Sequence, residues 1–237
     1  MKKLLCIAHR GASGHEPENT LSAIEKAQVL GADWIEVDVY AVERELLVIH
    51  DLKLERTTNG KGIVTEQPLS YLRSLDAGKG QRIPFLWEVI DLVDKRMGIN
   101  VELKDEKTGG GAVVSLIDEF VGRCGWSYEQ FIVSSFHHDQ LVKIRRLRPE
   151  IPIGVLVDKS ISDTRLGEDL GAYSVHFRLK GVNRALVCDA HRRGLKVFVF
   201  TVNNLKDIKR MSVMEVDGVF TDYPDRVVSF QKDIAFP

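Results

Sequence analysis

Residues 4–40 read LLCIAHRGASGHEPENTLSAIEKAQVLGADWIEVDVY, and their change of period decides the fold. LLCIAH at 4–9 is a short apolar run. In ADWIEVDVY at 32–40 a period of two puts Ile35, Val37 and Val39 on one face and Glu36 with Asp38 on the other. Between them, TLSAIEKAQVLGA at 20–32 has helical spacing, with Leu21, Ile24, Ala27 and Leu30 on one face, Thr20 placed to cap its start and Gly31 to stop it. Strand, helix, strand in this order is the unit of a parallel sheet with right-handed crossovers.

The rhythm continues outward. Further strand-like runs are LLVIH at 46–50, MGINVELK at 97–104, QFIVSS at 130–135, IPIGVLV at 151–157, GAYSVHF at 171–177, LKVFVFTV at 195–202 and VDGVFT at 216–221. LWEVIDLVDK, AVVSLIDEFVGR, HDQLVKIRRLR, NRALVCDAHRRG and NNLKDIKRM supply helical patterns between them. Counting the two runs either side of residue 43 as one extended unit gives eight strands. Eight strand-helix units in 237 residues predict an α/β chain closed into a TIM-type (β/α)8 barrel. The alternative is an open doubly wound sheet, but the chain contains no G-x-G-x-x-G, Walker A or G-x-S-x-G string. Residues 51–83 are polar and turn-rich where a short loop is expected. They read as a small insertion after the second strand, on the side where barrel enzymes build substrate-binding features. With no repeat or linker, residues 1–237 are expected to form a single barrel domain.

Composition narrows the function. With 44% hydrophobic and 28% charged residues the chain is neither disordered, collagen-like nor coiled-coil. Its 33 basic residues are offset by 34 acidic ones, which argues against nucleic acid or a membrane surface as partner. Cys6, Cys124 and Cys188 are far apart and read as reduced thiols in packing roles. The apolar run in MKKLLCIAHR is too short for a signal peptide, and no stretch approaches the ~20 apolar residues of a membrane span. The expectation is a cytoplasmic protein without a membrane anchor, its oligomeric state open between monomer and dimer.

The chemistry lies at the strand ends. Alternation in Ile99-Asn100-Val101-Glu102-Leu103-Lys104 turns Asn100, Glu102 and Lys104 inward beside Glu36 and Asp38. Acidic residues are seldom buried without a partner, and three carboxylates on neighbouring strands repel one another unless a cation lies between them. Oxygen donors alone favour a hard divalent ion, Mg2+ or Ca2+. The competing reading is a salt network with Lys104 and Arg10, yet two cations balance only part of a cluster that also includes Asp51. His9 and His50 are read as ending strands one and two, where one neutral and one protonated imidazole make a general base and a general acid. Arg10 and Lys104 then clamp an anion, and the set describes metal-assisted phosphoryl transfer.

HRGASGHEPENT (9–20), GADWIEVDV (31–39), VIHD (48–51), RTTNGKG (56–62), LDAG (75–78), IPFLWEVIDL (83–92), NVELK (100–104), IVSSF (132–136), AHRRGLKVFVFTVNN (190–204) and DGVFTDYPD (217–225) together resemble the glycerophosphodiester phosphodiesterase family, in order and over nearly the whole chain. The resemblance implies metal-dependent hydrolysis of glycerophosphodiesters such as glycerophosphocholine and glycerophosphoethanolamine to sn-glycerol 3-phosphate and an alcohol, within lipid and glycerol metabolism. It implies Glu36, Asp38 and Glu102 as metal ligands, His9 and His50 as catalytic histidines, and Arg10 and Lys104 as phosphate contacts. It also implies attack by the substrate's own glycerol hydroxyl, giving a cyclic phosphate that water opens. One histidine deprotonates the nucleophile and the other protonates the leaving alcohol. Two departures stand out. Val42-Glu43-Arg44-Glu45 replaces the usual Asp-Gly turn, and Phe200 stands where the family often has Trp, which bears on leaving-group preference. Lysophospholipase D or lyase chemistry on the same barrel, and a non-catalytic binding barrel, are the other readings.

Remaining candidates are weighed singly. Phe136 and Phe200, at strand ends, are candidates for a substrate wall. Asn19 either fixes the loop behind His9 or caps the helix. His15, His137, His138 and His191 are expected on the surface, and His176 at the end of the sixth strand. Gly109–Gly111 is expected as a loop before the third helix.

Overall fold

The computed structural model describes residues 3–104, 109–158 and 161–235, with the side chains of 234 and 235 left aside. The strands are β1 (Leu5–His9), β2 (Trp34–Val42), β3 (Glu45–Val48), β4 (Gly98–Leu103), β5 (Phe131–Ser135), β6 (Ile153–Val157), β7 (Ser174–Arg178), β8 (Lys196–Phe200) and β9 (Gly218–Thr221). The helices are α1 (Leu21–Val29), α2 (Leu69–Leu72), α3 (Leu86–Val93), α4 (Gly109–Cys124), α5 (His138–Leu147), α6 (Arg165–Asp169), α7 (Arg184–Arg192), α8 (Leu205–Val213) and α9 (Pro224–Ala235). Eight parallel strands run β1-β9-β8-β7-β6-β5-β4-β2, and pairing of β1 with β2 closes the barrel. The chain is thus a TIM barrel, as the alternation predicts.

Two apolar layers hold it. Outward-facing Ile35, Val37, Val39, Ile99, Val101 and Leu103 are buried against helix residues such as Ile24, Leu86 and Ile90. Inside, Ile7, Ile132, Phe198 and Phe220 fill the barrel beside Leu5, Trp34 and Phe200. Gly98 makes room for this filling: a Cβ there would lie 2.2 Å from the Trp34 ring. Thr20 caps α1 as expected, its hydroxyl accepting from Ala23 N, and Gly31 takes a left-handed φ of 80° just past the helix end.

The two runs flanking residue 43 are not one extended unit. β3 turns back antiparallel on β2, pairing Val39 with Val48 and Val42 with Glu45, so it adds a ninth strand outside the barrel. The hairpin has two apolar faces. Val39, Leu46 and Val48 join the main core, while Tyr40, Val42, Leu47 and Ile49 pack on Leu54, Val64, Leu72, Leu75 and Ile83 from residues 51–83. The insertion is therefore held to the barrel by its own small core.

The triple glycine is not a loop either: Gly109–Gly111 opens α4. Glycine costs about 1 kcal/mol per residue in a helix relative to Ala, but close packing favours it at the first two positions, while Gly111 has open space beside it. A Cβ on Gly109 would lie 3.0 Å from Leu103, and one on Gly110 2.9 Å from Gln140 Oε1, which accepts from Gly110 N. No helix among the described residues is long and apolar enough to cross a membrane.

Candidate active site

The site is built where β1, β2 and β4 end. Strand register places His9 beside Glu36 and Asp38 beside Glu102, so alternation on three neighbouring strands delivers all four side chains to the barrel mouth. One carboxylate oxygen each from Glu36, Asp38 and Glu102 lies within 4.8 Å of the others. Glu36 is 2% exposed and Asp38 1%. Such crowding of buried acids is costly unless each negative charge meets a donor or a cation.

The protein's own groups meet that need unevenly. Asp38 is well supplied. Arg10 Nε lies 3.2 Å from Asp38 Oδ2 and Lys104 Nζ 3.2 Å from Oδ1, while Asn19 Nδ2 donates to Oδ2 at 2.9 Å. Burial pushes the Asp38 carboxyl up, but Lys104, Arg10 and the other donors bring it down to about 2. Glu102 receives Lys104 Nζ at 2.6 Å. Among the described residues Glu36 has only the Arg10 amide, donating to Oε2 at 2.9 Å, and its buried Oε1 has no hydrogen-bond partner. Burial, then repulsion from Asp38, pushes Glu36 up to about 8. The salt network with Arg10 and Lys104 thus forms, but it leaves one buried carboxylate oxygen facing the other acids. Three oxygen donors converging on that unmet charge fit a hard divalent cation.

Both histidines are oriented by acids. His9 Nδ1 lies 2.7 Å from Asp222 Oδ1, directly after β9, and Asp222 is held in turn by Asn203 Nδ2 at 2.6 Å and Ser13 Oγ at 3.1 Å. Burial alone would lower the His9 imidazolium, but Asp222 and Glu36 outweigh it and raise it above the usual histidine range. His50 does not end the second barrel strand. The β2–β3 hairpin runs out and returns, with Ile49 N donating to Asp38 O at 3.0 Å, and this return sets His50 level with the acids. Its Nδ1 pairs with Asp51, which Arg56 grips in turn. Burial, with Lys104 and Arg10 nearby, lowers His50 despite Asp38 and Asp51. The two imidazoles are thus biased toward opposite protonation states, as a general acid and a general base require.

Some expectations are corrected. Asp51 is not part of the inward acid group; it lies outside it on the His50–Arg56 side. Asn19 does not cap α1, since Thr20 does; it holds Asp38 and, through its amide to Arg10 O at 3.0 Å, the loop after β1. His176 lies mid-strand in β7, wholly buried between Phe198 and Phe220, with Nε2 2.8 Å from Ser174 Oγ. Desolvation lowers it to about 3, so it stays neutral below the site. His138 is half-buried against Leu156 O at 3.0 Å. Phe200 lines the cavity that also touches His9, Glu36 and Glu102, and Phe136 meets it edge-on at 6.1 Å. A groove of ≈ 700 Å3 beside Trp87 and Leu116, outside the barrel, contains none of the candidate residues.

Asp222 is the residue that sequence reasoning passes over. Its only signal is an acid directly after the last strand, 213 residues from His9. Asp222→Asn is expected to lower kcat by about a hundredfold or more, because the amide can donate to Nδ1 and stabilise the wrong tautomer. KM should change little, and the pH limb owned by His9 should move to lower pH, since the lost carboxylate raises that group. Steady-state kinetics across pH check both.

Known proteins resemble the chain over nearly its whole length. Residues 9–226 match the model of the glycerophosphoryl diester phosphodiesterase family. The chain is 37% identical over 241 residues to a glycerophosphodiester phosphodiesterase of Bacillus altitudinis, covering 96% of this chain and 98% of that one. It is 36% identical over 240 residues to one from Caldanaerobacter subterraneus subsp. tengcongensis, with 96% and 97% covered. A phosphodiesterase of Oleispira antarctica, solved with the product sn-glycerol-3-phosphate, superposes with a TM-score of 0.88 at 32% identity, covering 96% of each chain.

Proposed function

The chain belongs to the glycerophosphoryl diester phosphodiesterase family, and from that premise we propose that it hydrolyses glycerophosphodiesters, such as glycerophosphocholine and glycerophosphoethanolamine, to sn-glycerol 3-phosphate and an alcohol, with a divalent cation and paired histidines. The observation that carries this is the buried Glu36 Oε1, without a hydrogen-bond partner among the described residues, close to carboxylate oxygens of Asp38 and Glu102. A Mg2+ or Ca2+ ion on Glu36, Asp38 and Glu102 would supply positive charge to a phosphate oxygen or to a substrate hydroxyl.

The protein's own groups do the rest. Arg10 and Lys104 steer the phosphate and neutralise its charge. One histidine takes the proton from the substrate's glycerol hydroxyl as it attacks phosphorus, and the other gives a proton to the departing alcohol. Reversing these roles opens the cyclic phosphate with water. Asp222 and Asp51 hold the two imidazoles in register. We take residues 1–237 as one domain in this scheme, with 51–83 bringing Asp51 and Arg56 to the mouth.

A panel of glycerophosphodiesters crossed with Mg2+, Ca2+ and Mn2+, read as glycerol 3-phosphate release, tests the reading. Glycerol 3-phosphate release from small diesters, with no choline release from lysophosphatidylcholine, is expected. Binding without release under every ion would contradict it.

A further inference from the structure

Phe200 ends β8 on the cavity wall, and its register partner on β7 is Arg178. Paired residues of a ladder project to the same side, so Arg178 extends that wall toward solvent. Its guanidinium carbon lies 5.4 Å from the Phe200 ring centre and 5.9 Å from that of Phe136, and its Nε pairs with Asp158 just after β6. Leu156 borders both the acid-lined cavity and the groove formed with Phe136, Asp158 and Arg178, so the two spaces adjoin at that side chain. The groove is therefore within reach of the second alcohol of a diester whose glycerol phosphate lies over the acids.

We propose that Arg178 selects the leaving alcohol, favouring one that carries a carboxylate or several hydroxyls over one that carries an ammonium. The inference rests on the glycerophosphodiester reading above. Aromatic faces are where a quaternary ammonium binds, and here one guanidinium already lies against both rings. A second cation in the groove meets the guanidinium and has to share with it the one carboxylate that lines the groove among the described residues, Asp158. Asp158 engages Nε, and among the described residues Arg178 has no other ion-pair partner, which leaves the planar fork of Nη1 and Nη2 for a carboxylate or hydroxyl oxygen.

Glycerophosphoserine and glycerophosphoethanolamine differ by one carboxylate on the leaving alcohol, so the ratio of their kcat/KM values isolates this contact. Arg178→Gln is expected to lower the serine-to-ethanolamine ratio by roughly fivefold to tenfold, a size set by an exposed but charge-assisted contact. Arg178→Lys, which keeps charge without the fork, should fall between. A ratio is independent of how much enzyme is folded, so partial misfolding of a variant does not blur the result. A ratio unchanged or raised in Arg178→Gln would overturn the inference. Failure of the unmodified enzyme to cleave either diester would instead overturn the substrate class, and this inference with it.

Discussion

Replacing His9 or His50 by Ala is expected to lower kcat for glycerophosphodiester hydrolysis by between about a hundredfold and ten-thousandfold, with KM changed only a few-fold. A positioned acid or base contributes roughly that much, and it contributes at the transition state rather than to binding. Neither histidine is needed to build the barrel: both lie at its mouth, with side chains 17% and 30% exposed. The variants should therefore keep the parent melting temperature within a few degrees. The double variant should be little worse than either single one, because two groups acting together in one step are not additive. The pH profile separates the roles. Loss of the group that must be deprotonated removes the acidic limb of kcat/KM, and loss of the group that must be protonated removes the basic limb. If one variant kept both limbs and its full kcat, that histidine would have no part in proton transfer.

Glu36→Gln is expected to be as damaging by a different route. The amide preserves shape and can still accept from Arg10 N, but it removes the charge from the one acid whose buried oxygen lacks a partner. Loss of a cation contribution of several kcal/mol corresponds to about a thousandfold in rate. Stability should move the other way. In the ion-free protein burial and Asp38 already hold Glu36 largely protonated near neutral pH, and above that pH they crowd a third charge into the site, so the melting temperature of Glu36→Gln should equal or exceed that of the parent. The parent should gain about 2.7 kcal/mol from an ion at a hundred times its Kd, or roughly 5 to 10 °C in a chain of this size, and the variant much less. Scanning calorimetry with and without Mg2+ or Ca2+ measures this. Equal ion-induced shifts in parent and variant would place the ion elsewhere.

How much of this was legible in the sequence depended on the distance over which each feature is set. Glu36, Asp38 and Glu102 were readable because strand alternation is local and barrel strands in sequence are neighbours in space. His9 was readable as the end of an apolar run. His50 was readable as a residue type at the mouth, but its route was not. The β2–β3 turn uses Glu43 at φ 55°, with no glycine or asparagine to signal a reversal. Asp222 and Asn19 act through tertiary hydrogen bonds, which no short period encodes. Gly109–Gly111 misled for the converse reason, because local propensity argues against a helix there, while Gly109 and Gly110 fit closely against Leu103 and Gln140. The five-residue α6 is too short to show a helical period at all.

The central claim is that the acids at the ends of β2 and β4 hold a divalent cation needed to cleave glycerophosphodiesters. Its most direct test is glycerol 3-phosphate release by chelator-stripped protein, measured before and after Mg2+ or Ca2+ is restored. The expected result is loss of release on stripping, recovery with the ion in the parent, and no recovery in Glu36→Gln. Full release by the stripped parent would contradict the claim.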